Sequence, residues 1–157
     1  MKDIRNNMRN LTPFEKEIKI REKLLNFMKK HPKGLTTTEI GAQTGISRKT
    51  LEKHLQLLVF ENEIYMKQYG PTRVYYPNHR LHYLDFKKLK AENRTYWFDI
   101  MRNEFGAYLL IQEKRKNKGD WMTKGSILIP LKSTGAFISS LNNILKSDKL
   151  KKLSKGI

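Results

Sequence analysis

The chain carries four histidines, His31, His54, His79 and His82, and no cysteine. His79 and His82 have a spacing that could seat a metal on a helix. Without thiolates or paired carboxylates beside them they read as surface residues, and no metal is expected. A second constellation is Asp99 together with Gln112, Glu113 and Lys114. On adjacent strands such acids could hold Mg²⁺ against a phosphodiester, with Lys114 assisting the attacking water. Glu113 and Lys114 are neighbours in an extended run and point to opposite faces, which denies the ion a second firm carboxylate. No glycine-rich phosphate loop and no Gly-x-Ser-x-Gly elbow is present. These residues predict no catalytic site, no cofactor and no enzyme.

What the residue types do supply is positive charge. Lys and Arg number 32 against 15 Asp and Glu, a formal net charge of +17. Residues 1–80 hold 16 basic and 8 acidic side chains and the remainder 16 and 7, so a basic tail alone does not explain the balance. Such a field attracts polyanions, and each cation that neutralises a phosphate releases condensed counterions. The densest candidate for contact with a polyanion is the run Ser47, Arg48, Lys49, Lys53 and His54, with Arg73 further on.

Three helices must position that run. Thr12-Pro13-Phe14-Glu15 is a capping box with proline at the first helical position, and Ile18, Leu24, Leu25 and Met28 then fall on one face. His31-Pro32-Lys33-Gly34 ends this helix. Thr36 and Glu39 repeat the capping-box spacing, Ile40 points inward, Gly45 breaks a short helix and Ile46 plugs the corner. Ser47 caps a third helix whose buried stripe is Leu51, Leu55 and Leu58, which leaves Arg48, Lys49, Lys53 and His54 on the opposite face. Ile64 to Lys67 and Arg73 to Tyr76 flank Gly70-Pro71 as a hairpin, with Arg73 near its tip. The stretch 35–77 resembles the winged helix-turn-helix transcription regulators. That resemblance implies double-stranded DNA as partner, the third helix in the major groove and Arg73 on the wing.

The second half reads as strands followed by one helix. Pro77-Asn78-His79-Arg80 is the linker candidate. Tyr83 to Lys90 is extended but charged, and Thr95 to Met101 alternates, with Tyr96, Phe98 and Ile100 on one face and Trp97, Asp99 and Met101 on the other. Asn103 to Gly106 is a turn, Ala107 to Glu113 the returning strand, Lys114 to Asp120 a solvated loop and Ser126 to Leu131 a fourth run. A closing helix buries Phe137, Leu141, Ile144 and Leu145. One helix cannot cover both faces of such a sheet, so a partner is expected. The run 92–113, with Arg102-Asn103-x-x-Gly106 in it, and the closing Ile127-Leu128-Ile129-Pro130 with its helix resemble a PUR repeat over residues 82–148. The resemblance implies a ββββα unit that dimerises and that belongs to single-stranded DNA- and RNA-binding proteins. PUR repeats commonly carry basic side chains where this chain has Met101 and Leu110. The face formed by Trp97, Met101, Asn103, Tyr108 and Leu110 is therefore open to two uses, base stacking or burial against a partner, and the missing cations favour burial.

The reading as a whole is an α+β chain: a winged helix-turn-helix domain over 1–80, a four-stranded antiparallel sheet with one helix over 81–148, and a basic tail over 149–157. No apolar run approaches the roughly 20 residues that span a bilayer, and residues 1–9 lack the apolar core of a signal peptide. The expectation is a homodimeric regulator of transcription that binds duplex DNA, in the cytoplasm on the nucleoid or in a nucleus, and not on a membrane. Two alternatives stay open: a single-stranded DNA- or RNA-binding protein that uses the sheet, and a protein-interaction adaptor of the transcription or replication machinery.

Overall fold

The fold rests on local signals first. Thr12 Oγ1 accepts the backbone N–H of Glu15 at 3.3 Å while Glu15 Oε2 accepts that of Thr12 at 2.8 Å, so α1 (Pro13–Lys29) opens with a reciprocal pair of caps. Thr36 and Glu39 do the same, at 3.2 and 2.7 Å, for α2 (Thr37–Thr44). Gly45 stops α2 in the left-handed region at φ 68°, where a side chain is disfavoured. Ser47 then caps α3 (Arg48–Phe60) by accepting the N–H of Thr50. A computed structural model describes residues 11–81, 87–117, 119–147 and 150. The chain divides into two units, Met1–Asn78 and His79–Ile157.

In the first unit, β1 (Leu35–Thr36), β2 (Ile64–Tyr69) and β3 (Thr72–Pro77) form an antiparallel sheet in the order β1-β3-β2. Gly70 and Pro71 make the tight turn of the β2–β3 hairpin, which pairs Tyr69 with Thr72. Leu24 and Met28 of α1, Ile40 of α2, Leu51, Leu55 and Leu58 of α3, and Ile64 and Tyr75 of the sheet share one buried cluster. Each such aliphatic side chain contributes on the order of 1.5–3 kcal/mol by leaving water.

The second unit is an antiparallel sheet followed by a helix. β4 (His79–Arg80), β6 (Arg94–Asn103), β7 (Gly106–Asn117) and β8 (Asp120–Pro130) lie in that order, and β5 (Lys87–Ala91) pairs with the β4 side of β6. β5 runs beside Arg94–Phe98 and β4 beside Met101–Arg102. A turn of 3₁₀ helix at Leu131–Ser133 leads into α4 (Thr134–Lys146). Between β7 and β8 the pairing steps from Glu113↔Gly125 to Lys114↔Thr123, a bulge that leaves Lys124 without an opposite residue.

Three expectations change. The lysine-rich stretch 114–117 is strand, not loop, because β7 and β8 continue past the apolar part of the sheet and pair out to Asn117↔Asp120. The linker candidate 77–80 holds the boundary between the two units, which falls between Asn78 and His79. Pro77 ends β3, His79 begins β4, and Asn78 between them is buried, donating its backbone N–H to Glu63 O and its amide to Asn62 O, both at 3.0 Å. The apolar stripe of α4 is not buried in the single chain: Leu141, Ile144 and Leu145 are exposed and Phe137 is half-buried. One helix does not enclose the apolar face that it shares with a five-stranded sheet. His54, finally, is buried, as described below. Residues 82–86, and 149 and 151–157 of the basic tail, lie outside the described residues. Among the described residues no helix is long and apolar enough to cross a membrane.

Candidate nucleic-acid interface

The first unit presents the run at the start of α3. Ser47 is spent on the cap, and Arg48 and Lys49 are exposed on the first turn. Arg48 Nε donates to Glu52 Oε1 at 2.9 Å, an exposed i,i+4 pair worth a few tenths of a kcal/mol at most. Lys53 Nζ donates to Glu17 Oε1 of α1, and that hydrogen bond holds the Glu17 carboxyl below the usual glutamate range. His54 is the correction: it is 2% exposed and belongs to the interior. Its position explains this, since 54 lies three residues after Leu51 and four before Leu58, on the buried stripe itself. Burial pushes its imidazole pKa below the ordinary histidine value, partly opposed by the Glu17 charge and reinforced by Lys53 and Arg21. Arg73, exposed near the hairpin tip, comes together with Arg48 along one polar groove of about 400 Å³ that also takes in Thr37, Glu52 and Thr72.

In the second unit the pairing register decides which side chains share a face. Trp97 lies opposite Lys88 and Gln112, Asp99 opposite Leu110, and Met101 opposite Arg80 and Tyr108. On that face Met101 and Leu110 are fully buried, and so are Asp99 and Gln112. Arg80 Nη1 pairs with Asp99 Oδ2 at 3.4 Å. Tyr108 is half-buried, and Asn103 caps the β6–β7 turn by accepting the N–H of Phe105 at 2.9 Å. Of the face expected to stack bases or meet a partner, Met101 and Leu110 are thus enclosed.

Toward the other end the same face changes character. Lys88 Nζ sits 4.3 Å and Lys114 Nζ 4.1 Å from the centroid of the Trp97 ring. Each contact is worth about 0.5–1 kcal/mol near a surface. Trp121 of β8 meets Trp97 at 5.5 Å between centroids with the planes at 63°. The cations missing at positions 101 and 110 are therefore present elsewhere on the face. Lys88, Lys114 and Trp121 are functional candidates that sequence reasoning missed. The available signal was the strand alternation, which carries Trp97 to the same face as Lys114 once 114 is counted as strand.

The opposite face joins Phe98, Ile100 and Leu109 to Ile138 of α4 around an apolar cleft of about 650 Å³. Leu89 of β5 and Ile127 of β8 are exposed. The acids considered for a metal do not converge. Asp99 is buried with Arg80, while Glu113 turns to the other face beside Arg115 at 3.1 Å and Arg94 at 3.8 Å. Among the described residues no three His, Cys, Asp or Glu are placed to hold a metal ion. His82 lies outside them.

The sequence model of a family described as PurA ssDNA and RNA-binding protein matches residues 60–148, more than half of the chain. The match begins at the last residue of α3 and takes in the β2–β3 hairpin, earlier than the repeat boundary that the residues suggest. No curated protein and no solved structure matches the chain.

Proposed function

Because this chain belongs to the PurA family of ssDNA- and RNA-binding proteins, we propose that it binds single-stranded nucleic acid through the basic, tryptophan-bearing end of the second unit's sheet. The observation that carries the reading is the pair of ammonium groups, Lys88 and Lys114, held over Trp97 beside Trp121. Cations that track phosphates, set among aromatic rings on which bases stack, are the parts a single-strand site needs. The decisive experiment is a titration of labelled oligo-dT and oligo-U against a duplex of equal length. Single strands should bind more tightly, and Lys88→Ala with Lys114→Ala should weaken them. Equal affinity for all three, unaffected by the double substitution, would sink the proposal. No step of catalysis belongs to this reading.

The second unit functions as a homodimer on this proposal. Exposed Leu141, Ile144 and Leu145 of α4, together with the 650 Å³ cleft, are apolar surface of the kind that a second copy covers.

A second reading concerns the first unit, and one observation favours it: the exposed Arg48 and Arg73 share a groove at the start of a serine-capped helix. Here the unit acts as a winged helix-turn-helix, with Ser47, Arg48 and Lys49 of α3 at the major groove and Arg73 on the wing, in a regulator of transcription. In a dimer with two such helices about 34 Å apart, the site would be a near-palindrome. Arg48→Ala with Lys49→Ala should then weaken duplex binding and spare single strands. Duplex affinity untouched by that pair would remove this reading alone.

A further inference from the structure

We propose that the indole of Trp121 is the platform on which an unpaired base stacks, and that Trp97 is a positioning residue that fixes two phosphate-binding ammonium groups. The inference rests on the single-strand reading above and assigns the roles within it. Lys88 and Lys114 come from the strands on either side of β6, and both ammonium groups lie within 4.3 Å of the Trp97 ring centroid. A base stacking where these ammonium groups sit would have to displace a cation that the ring itself attracts. Trp97 is also half-buried, with its Nε1 out of contact with solvent.

Trp121 is differently placed. It is 41% exposed, the neighbouring indole meets it at a steep angle instead of lying flat on it, and its cross-strand partner is the exposed Lys116. No cation-π contact involving Trp121 is present among the described residues. A base laid on it would have Lys114 on the same face of the sheet and Lys116 directly across for its flanking phosphates. The ligand chemistry is an unpaired base within a phosphodiester strand, which DNA and RNA share, and both are used in the test.

The chain has two tryptophans, Trp97 and Trp121, which makes each separable by emission. Trp97→Phe leaves Trp121 as reporter and Trp121→Phe leaves Trp97. Each variant is saturated with oligo-dT, with oligo-U and with a strand of abasic spacers of equal length, while anisotropy of the labelled strand follows binding. Bases should quench indole emission strongly in Trp97→Phe and weakly in Trp121→Phe, and the abasic strand should quench neither. Trp121→Ala should weaken binding of the base-bearing strands by roughly 5- to 150-fold, the worth of one stacked base, and leave the abasic strand unaffected. Quenching confined to Trp121→Phe, binding with no quenching in either variant, or equal loss on the abasic strand would overturn the assignment and leave the single-strand reading standing. Failure of the unaltered protein to bind any of the strands would overturn both.

Discussion

The ring of Tyr76 fills the space that a Cβ at Gly34 would need: the distance would be 2.4 Å to Cε1 of the ring. Gly34 also has φ +79°, a conformation that side chains rarely adopt. Tyr76 cannot swing aside freely, since it stacks on Tyr65 at 5.1 Å and 13°. Gly34→Ala should therefore destabilise the first unit by about 1–3 kcal/mol, combining backbone strain with the clash. Urea unfolding followed by circular dichroism measures this, and Tyr76→Ala in the same chain should recover part of the loss.

Stability should depend on His54 at mildly acid pH. Its folded pKa is depressed by burial, with Glu17 opposing and Lys53 and Arg21 adding to the shift. The unfolded chain thus takes up the proton first as pH falls. The His54 contribution is fully present above the ordinary histidine pKa of about 6.5 and is lost as pH falls below it toward the lower folded value. His54→Leu should flatten the stability profile across that window, as melting curves at several pH values would show. A profile unchanged by the substitution would mean that His54 does not report on the fold.

Removing the cations over Trp97 should change the salt dependence of single-strand binding. Each phosphate contact contributes about 0.7 to the slope of log affinity against log salt for a single strand. Lys88→Ala or Lys114→Ala should lower the slope by roughly that amount, and both together by about twice it. Titrations at a series of salt concentrations test this directly. Weaker binding with no change of slope would assign the lysines to packing.

Association should depend on α4. Leu141→Asp with Leu145→Asp places charge on the exposed apolar stripe, where a second copy would have to desolvate it. Sedimentation should show a dimer for the unaltered protein and a monomer for the variant, with the first unit's melting transition unaltered. A monomer in both cases would leave the stripe without the partner proposed for it.

Much of this molecule is readable locally. Thr12 with Glu15 and Thr36 with Glu39 are four-residue signals whose hydrogen bonds close within the same turn, so sequence alone places α1 and α2. The alternation from Tyr96 to Met101 likewise fixes which residues share a face. His54 was readable too, because its spacing to Leu51 and Leu58 is that of a core position, but a polar residue type invited an outward placement. The cluster at Trp97 was not readable in this way. Lys88 reaches it through a cross-strand pairing, and Lys114 and Trp121 reach it along strands whose charged ends look like loop. Such neighbours are set by register, which no single stretch of sequence encodes.

The unpaired Lys124 in β8 reaches further than its own position. Were it paired in step with Lys114 instead of bulged, continuous pairing would set Trp121 across from Asn117, and its indole would emerge beside Glu113 and Arg115 on the reverse of the sheet. One surplus residue thus acts as a half-twist in the alternation, and it delivers the second tryptophan to the side where the first already stands. Excising that lysine would mend the ladder and leave Trp121 across from Lys116, whereas drawing it into step with Lys114 would alter no aromatic or basic residue of the cluster and yet turn the hairpin's outer side chains inside out.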